Sequence, residues 1–334
     1  ELTGAGRFLL LVDLHHIICD GISMEILTRE FNGILGGQTY PALRLRYKDF
    51  AHWQNCRKTG EDIARQKAYW QKVMADEIPV LNLPWDKPRP AVQSYEGGTI
   101  GIDLEESETQ GLKQMAQESG MTLYMVLLAL VALLMSRLSG QEDIIIGTPT
   151  AGRPHPDLEE IIGMFVNTLA IRSNPQGEKS VAGYLKEIKT ILLEAFENQD
   201  YQFEDLVESV EIPRDMSRNP LFDVMFVMQT QAAVQGKTGV TRAQGYRETG
   251  GEESKFDMTV QAMEVGTGIL ISIRYAARLF EPETIRRYAV YLKRMVTGVL
   301  TNPGQTISCL EILGEEEKCR LLYTFNETAM EIQG

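Results

Sequence analysis

The sequence predicts a mixed α/β fold of the α+β sandwich type. Short apolar segments that suit buried strands alternate along the chain with amphipathic helical segments. Hydrophobic residues make up 43% of the chain and charged residues 24%, which leaves enough apolar material for a core. With 334 residues, the chain exceeds the usual size of one domain, so we expect one large two-lobed unit or two small domains.

The first 80 residues are predicted to form a strand followed by helices. Residues 8–14 (FLLLVDL) form a short apolar run that is typical of a buried strand. Three helical patterns follow, at residues 22–35, 47–57 and 62–74. Trp53 and Trp70 lie in the second and third of these helices, and we expect both to anchor packing. The segment 81–90 (LNLPWDKPRP) then has three prolines in ten residues, a density that interrupts helices and central strands, so it predicts a lobe boundary.

The remainder of the chain continues the alternation of strands and helices. Predicted strands share a high content of branched and aromatic residues and lie at 99–104, 144–148, 165–172, 222–229, 255–263 and 269–275. Predicted helices lie at 107–119, 122–138, 181–197 and 282–300. The second of them contains an apolar run of 13 residues, which is too short for a membrane span and predicts a buried core helix. Residues 231–253 are rich in Gly, Gln and Thr and predict an exposed loop.

Charge and cysteine usage argue against several classes of protein. The formal net charge of −13 makes non-specific binding to nucleic acid or to an anionic membrane unfavourable. The four cysteines form no CxxC pair and are too widely spaced for a disulfide framework. No secretory signal stands at the start of the chain, so we expect a cytoplasmic protein.

Two of the four histidines, His15 and His16, stand side by side in HHIICDG, directly after the first predicted strand. Neighbouring residues on a strand point to opposite faces, so the pair is not expected to chelate one metal ion. No other cluster has metal-ligand spacing, and we expect no bound metal. One imidazole is then available for proton transfer or hydrogen bonding. Asp20 could orient that imidazole or fix the loop through a buried ion pair, and Gly21 would allow a tight turn close to a ligand.

Five ordered motifs give the chain its resemblance to a known family. They are HHIICDGIS at 15–23, YKDFAHWQ at 47–54, IGMFVNTLAIR at 162–172, NQDYQFEDLV at 198–207 and RDMSRNPLFDVMF at 214–226. Together they resemble the condensation domains of non-ribosomal peptide synthetases, which are related to chloramphenicol acetyltransferase. The fourth block departs from the family pattern at Gln202, where proline is usual.

The resemblance implies a fold and a division of the chain. The family fold is a pseudo-dimer of two acyltransferase-like lobes that meet in a V, with the active site in a tunnel between them. On this chain, residues 1–80 would be the C-terminal part of an incomplete first lobe, and residues 81–94 a linker. Residues 95–313 would form the second lobe, and residues 314–334 would lead toward an adenylation domain. The chain would therefore begin inside the first lobe.

The resemblance also implies roles for individual residues. His16 is the predicted catalytic residue, acting as a hydrogen-bond partner or proton acceptor for the attacking amine; a purely positioning role is the alternative. His15 is predicted to serve packing and loop geometry. Asp20 is predicted to pair with Arg153, and Gly21 to shape the same loop. Two further residues are predicted to line the substrate and pantetheine tunnel, namely Ser23 and Asn167, although a strand-end hydrogen bond is the simpler explanation for Asn167.

The implied reaction is peptide-bond formation between a donor aminoacyl or peptidyl thioester and an acceptor aminoacyl thioester. Upstream and downstream peptidyl carrier proteins would deliver both substrates, and an adenylation domain would be the neighbour. No cofactor is expected to bind directly, because 4′-phosphopantetheine arrives as part of the carrier substrates. Two alternatives remain open: a docking module that only binds carriers, and an epimerization-type relative. The second favours tryptophan where this chain has Met24.

Overall fold

The structure is a computed structural model that describes residues 12–210, 215–229 and 252–326. Within these ranges the α-helices are α1 (Gly21–Leu35), α2 (Tyr47–Arg57), α3 (Glu61–Val73), α4 (Glu106–Glu118), α5 (Leu123–Ser139), α6 (Val181–Glu197), α7 (Phe203–Ser209), α8 (Pro282–Thr301) and α9 (Glu315–Leu322). The strands are β1 (Glu96–Leu104), β2 (Ile144–Thr150), β3 (Asn167–Ser173), β4 (Val224–Gln229), β5 (Glu252–Glu253), β6 (Met258–Val265) and β7 (Gly268–Ala276).

The described strands form one mixed sheet in the order β3-β2-β4-β6-β7-β1-β5. Strand β4 runs parallel to both β2 and β6, and the other pairs are antiparallel. Val260 on β6 and Ile100 on β1 both lie opposite Ile273 on β7, so apolar side chains line up across three neighbouring strands. Alternation of buried and half-buried residues along β6 shows that one face of the sheet carries more of the core. The predicted α/β sandwich is confirmed.

Helix α5 is the centre of that core. Leu and Ala favour a helix throughout its length, and the helix is buried on all sides between Met125 and Ser136. Thr122 begins it by accepting a hydrogen bond from the backbone of Met125 (3.2 Å), and Gly140 ends it with a φ of 69°. The predicted buried helix is therefore confirmed. No single described helix has the length and apolarity to cross a bilayer; α4 and α5 reach that length only together and are bent by 107°.

Helix α3 is fastened to the sheet-bearing part of the protein. Trp70 is buried, and its Nε1 donates a hydrogen bond to the carbonyl of Asn198 (2.8 Å). The guanidinium of Arg172 on β3 pairs with Asp143 and donates to the carbonyls of Val73 and Glu77 (3.2 and 2.9 Å). Because lone carbonyls at a helix end need partners, Arg172 closes the C-terminal end of α3. The core around the sheet thus extends back across the predicted boundary at residue 80.

The proline-rich segment is bound along its length to the second part of the chain. The hydroxyl of Tyr288 donates to the carbonyl of Pro84 (3.1 Å). The carboxylate of Asp86 accepts hydrogen bonds from the backbone of Glu281 (2.8 Å) and the hydroxyl of Thr284 (2.9 Å), at the start of α8. The prolines lack a backbone donor, but the N–H groups of Asp86 and Lys87 donate to the carbonyl of Leu279 (3.0 and 3.2 Å), so backbone and side-chain groups together supply the contacts of this segment.

A buried cluster of four charges secures the end of the same segment. Arg89 forms a bidentate ion pair with Asp257, and Arg218 donates to Asp223 (2.5 Å). Both guanidinium groups lie over the ring of Trp85, at 4.9 and 5.4 Å from its centroid. Burial and the nearby charge of Asp257 raise the pKa of Asp223 to about 6. Above that pH the carboxylate is charged, and its charged form is less favourable in the folded protein than in water.

The structure corrects three details of the sequence prediction. Residues 12–14 of the predicted first strand are irregular, and residues 8–11 lie outside the described residues. Most of the predicted loop at 231–253 also lies outside them, but Glu252–Glu253 form the edge strand β5. Trp53 is 44% exposed and is not a core anchor. Its indole lies beneath the guanidinium of Arg57, at 4.6 Å, an interaction that does not require burial.

We predict that Asp223→Asn changes the pH dependence of stability. The folded state of the wild type binds a proton at Asp223 near pH 6, whereas the unfolded carboxyl binds it only near its ordinary pKa of about 4. The wild type should therefore lose stability relative to Asp223→Asn as the pH rises from about 4 through 6. Urea unfolding of both proteins across this range measures the difference, and a difference that does not change with pH would contradict the prediction.

Candidate active site

His16 begins a short 3-10 turn, His16–Ile18, and His15 is the N-cap of that turn, so the pair does not stand at the end of a strand. The Nδ1 atom of His15 accepts a hydrogen bond from the backbone N–H of Ile17 (3.1 Å) and so closes the start of this turn. The side chain of His16 is exposed. Within the described ranges, no hydrogen bond or ion pair reaches its imidazole.

Asp20 joins this turn to helix α1. It is the N-cap of the helix, and its Oδ1 accepts hydrogen bonds from the backbone and the hydroxyl of Ser23 (2.8 and 2.7 Å). Its Oδ2 accepts another from the backbone N–H of Phe165 (3.2 Å), 145 residues along the chain. Cys19 beside it is buried, with its Sγ 3.8 Å from the carbonyl of His15. The C-terminal end of the histidine turn is therefore fixed to the second part of the chain.

Arg153 supplies the positive charge for Asp20. Its Nη2 lies 3.0 and 3.2 Å from the two carboxylate oxygens, and the two side chains are only 3% and 0% exposed. Its Nη1 donates to the carbonyls of Leu158 and Ile161 (2.6 and 2.7 Å), and the guanidinium lies 3.9 Å from the centroid of the Phe165 ring. A buried ion pair stabilises a fold only when its remaining donors and acceptors are also satisfied, and most of them are here.

Two glycines of the site differ in their packing. The hydroxyl of Ser23 lies 2.8 Å from the carbonyl of Gly163 and accepts a hydrogen bond from its N–H (3.0 Å). A Cβ at Gly163 would approach the ring of Tyr47 to 2.1 Å, so this contact requires glycine. Gly21, predicted to allow a tight turn, is instead the first residue of α1, and a Cβ there would meet nothing within 4 Å. The described residues alone give no steric reason for glycine at this position.

The two residues predicted to line a tunnel are buried in contacts of the fold. Ser23 is fully buried in the junction between α1 and Gly163. The amide of Asn167 donates to the carbonyls of Gln199 and Tyr201 (2.8 and 2.9 Å), while its oxygen accepts from the backbone of Phe203 (3.1 Å). Asn167 also borders a small cavity of about 30 Å³ between α2 and residues 199–205. Its hydrogen bonds tie strand β3 to the segment that leads into α7.

Several contributors to the site are not apparent from the sequence. The motif blocks include Tyr47, Gly163 and Phe165. Nothing in the sequence shows that the hydroxyl of Tyr47 donates a hydrogen bond to the carbonyl of Met164, more than a hundred residues away. Gln66 is similar, since its side-chain oxygen accepts from the backbone of Asp200 and Tyr201 (2.9 and 3.0 Å). The only indication in the sequence is that Tyr47 and Gly163 lie in two of the five ordered motifs, the first of which contains His16.

The arrangement therefore presents the exposed imidazole of His16 on a loop whose far end is held by the hydrogen bonds and the ion pair of Asp20. An imidazole in this setting can accept a proton or a hydrogen bond from an incoming group. Cys19 is not placed to act as a nucleophile, because it is buried and its thiol faces a carbonyl. Over the described part of the chain, no group of three or more His, Cys, Asp or Glu side chains could hold a metal ion.

Comparison with known proteins identifies the family. Residues 2–322 match the model of the condensation domain. The chain belongs to the condensation-domain family. It is 44% identical over 320 residues to bacitracin synthase 3 of Bacillus licheniformis, and 43% identical over 326 residues to gramicidin S synthase 2 of Brevibacillus brevis. The alignments cover 96% and 97% of this condensation domain but only 5% and 7% of the respective relatives, so the chain spans a small part of their length.

Solved structures show the same fold. A four-domain nonribosomal peptide synthetase bound to AMP and glycine superposes with a TM-score of 0.81 at 22% identity, over 91% of this chain and 24% of that one. The X-domain from teicoplanin biosynthesis, in complex with OxyB, superposes with a TM-score of 0.78 at 25% identity, over 90% of this chain and 69% of that one. The fold of the condensation domain, predicted from its motifs to resemble chloramphenicol acetyltransferase, agrees with these neighbours.

We predict that Asp20→Ala destabilises the condensation domain by about 3–5 kcal/mol, because Arg153 would remain buried without its counter-charge. Urea unfolding followed by circular dichroism measures the loss. Glu160→Ala is the matched control, since it breaks an exposed ion pair with Arg29 of the same helix α1 and should cost no more than about 1 kcal/mol. Equal losses in the two variants would show that the buried pair has no special importance.

A second prediction compares Gly163→Ala with Gly21→Ala. The methyl group at position 163 must displace the ring of Tyr47, and overpacking of this kind costs about 1–3 kcal/mol. The methyl group at position 21 meets no atom, so the free energy of unfolding should change by no more than about 0.5 kcal/mol. Denaturant unfolding of both variants decides it, and a larger loss for Gly21→Ala would refute the packing argument.

Proposed function

We propose that this condensation domain forms peptide bonds between two carrier-bound thioesters. The amine nitrogen of an acceptor aminoacyl thioester attacks the carbonyl carbon of a donor aminoacyl or peptidyl thioester. The donor C–S bond breaks, the donor carrier leaves as a thiol, and the amine gives up one proton. The observation that carries the proposal is the family match over residues 2–322, with His16 exposed on a loop that the Asp20–Arg153 ion pair fixes.

His16 is the residue proposed to assist this reaction. A free α-amino group has a pKa of about 8, so a fair fraction is already neutral and nucleophilic at physiological pH. The imidazole therefore need not create the nucleophile. Its proposed part is to hydrogen-bond the amine, or to take its proton as the tetrahedral intermediate forms, which typically contributes about 10²–10⁴-fold. His15, Asp20, Gly21 and Arg153 keep their proposed roles in the geometry of the loop.

The contacts support a structural function for Ser23 and Asn167 within this proposal. Both side chains use their polar atoms in hydrogen bonds to the fold. Ser23 would influence the shape of the substrate tunnel by holding the loop at residues 161–165. Asn167 would do so by holding residues 199–203. The division into residues 1–80, 81–94, 95–313 and 314–334 remains a proposal, with α3 sharing the core of the second lobe.

The proposed partners are an upstream and a downstream peptidyl carrier protein and a neighbouring adenylation domain. The relatives are peptide antibiotic synthetases such as gramicidin S synthase 2, and a structural neighbour is a four-domain nonribosomal peptide synthetase bound to AMP and glycine. The 4′-phosphopantetheine arm would enter as part of each carrier substrate. A cytoplasmic location is consistent with four free cysteines, since thiols persist under reducing conditions.

We predict that His16→Ala lowers the rate of dipeptide formation by about 10²–10⁴-fold, because the amine loses its proton acceptor. The measurement is a single turnover between two loaded carrier proteins, made with the synthetase that contains this domain. His52→Ala is the control, since it removes another exposed histidine, on α2, and should leave the rate unchanged. Circular dichroism establishes that each variant keeps its fold.

Two results would overturn the proposal in different ways. If His16→Ala retains the wild-type rate, His16 does not perform the chemistry. If the wild type binds both carriers but makes no dipeptide, the domain is a docking module rather than a peptide-forming enzyme.

A further inference from the structure

The loop at residues 161–165 is held almost entirely by side chains from elsewhere in the chain. Arg153 donates to the carbonyl of Ile161, and the hydroxyl oxygen of Ser23 accepts a hydrogen bond from the N–H of Gly163. The carbonyl of Met164 accepts a hydrogen bond from the hydroxyl of Tyr47 (2.7 Å), and the N–H of Phe165 donates to Asp20. Buried backbone groups must find partners, and here these partners fix the loop. The position of the loop therefore depends on a small set of side chains.

Tyr47 makes several side-chain contacts with this loop. Besides the hydrogen bond to Met164, its ring packs edge-on against Phe165, with ring centroids 5.1 Å apart. The same ring occupies the space that a side chain at position 163 would need. Burial and, secondarily, the charge of Asp20 raise the pKa of Tyr47, so the hydroxyl keeps its proton and remains a donor. Tyr47 thus contacts three consecutive loop residues.

A short series of contacts connects this loop to His16. The N–H of Gly163 donates to the hydroxyl of Ser23, and the N–H of Phe165 donates to the carboxylate of Asp20. Ser23 and Asp20 in turn fix the start of α1. Asp20 follows His16 by four residues, and between them the turn is closed by the hydrogen bond from the N–H of Cys19 to the carbonyl of His16 (3.3 Å). A displacement of the loop therefore moves the anchor of the histidine turn.

We propose that Tyr47 is a positioning residue, which sets the place of His16 through residues 161–165 and Asp20. This inference rests on the proposed function for its effect on the reaction, but its structural part does not. Tyr47 touches no reacting group in this scheme. It acts by holding the carbonyl of Met164 and the backbone of Gly163 in place, so that the N–H of Gly163 reaches Ser23 and the N–H of Phe165 reaches Asp20.

Tyr47→Phe tests the structural part, because it removes only the hydroxyl and leaves the ring over Gly163. Tyr288→Phe is the matched control, since it also removes one hydroxyl that donates to a backbone carbonyl, that of Pro84, and Tyr288 lies on α8. Each variant loses one hydrogen bond, so each should lower the melting temperature by about 2–4 °C. The chain has only four histidines, so the NMR signal of each ring is readily followed in the 334-residue chain, with His16 assigned from the signal missing in His16→Ala.

We expect Tyr47→Phe to shift the His16 signal and Tyr288→Phe to leave it in place. In the synthetase, Tyr47→Phe should lower the single-turnover rate about five- to tenfold, the equivalent of one ordinary hydrogen bond, with no comparable loss in Tyr288→Phe. An unchanged His16 signal, or equal rate losses in the two variants, overturns the inference. A shifted signal with an unchanged rate also overturns it as a statement about the reaction. A wild type that makes no dipeptide refutes the proposed function instead, and the His16 signal still decides whether Tyr47 positions the loop.

Discussion

The ion pair between Asp20 and Arg153 is the interaction on which the candidate site depends. Both side chains are withdrawn from water, and two desolvated charges stabilise a fold only when most of the polar atoms around them are hydrogen-bonded. Asp20 therefore also accepts from Ser23 and Phe165, and Arg153 also donates to two carbonyls. These demands bring the start of α1 and residues 152–165 together. The histidine turn takes its position from that junction.

Because of the same junction, a loss of activity after a substitution in this domain does not show that the substituted residue takes part in the chemistry. Removing Asp20, Arg153 or Ser23 leaves buried partners without hydrogen bonds, so each change alters the fold near His16 as well as any local charge. His16 is different, because its imidazole is exposed and forms no hydrogen bond or ion pair in the described part of the chain. Only for such a residue does a substitution separate a chemical role from a structural one.

Much of the fold could be predicted from the sequence, because it depends on local patterns. The apolar run at 123–135 specified α5, and the amphipathic pattern at 181–197 specified α6 with its bounds. The site was predicted only in part. The partner of Asp20 came from motif resemblance, while the contacts of Tyr47 with Gly163 and Met164 depend on tertiary packing that no local pattern encodes. Trp53 shows the converse error, since it was expected to anchor packing as Trp70 does, but it is 44% exposed and its ring lies under Arg57.

The two histidines differ in what their rings contact. The ring of His15 takes part in the turn, whereas the ring of His16 has no hydrogen bond to the described residues. His15 uses its Nδ1 to accept from the backbone of Ile17, and its carbonyl accepts from Ile18, so it closes the turn from within. His16 contributes its carbonyl to that turn, and its ring forms no hydrogen bond to any residue that the structure describes. Residues 12–14 before them are irregular, whereas Asp20 on the other side is the N-cap of α1 and is paired with Arg153. A group that must meet a substrate within hydrogen-bonding distance needs such an anchor close by in the chain, and four residues separate His16 from it.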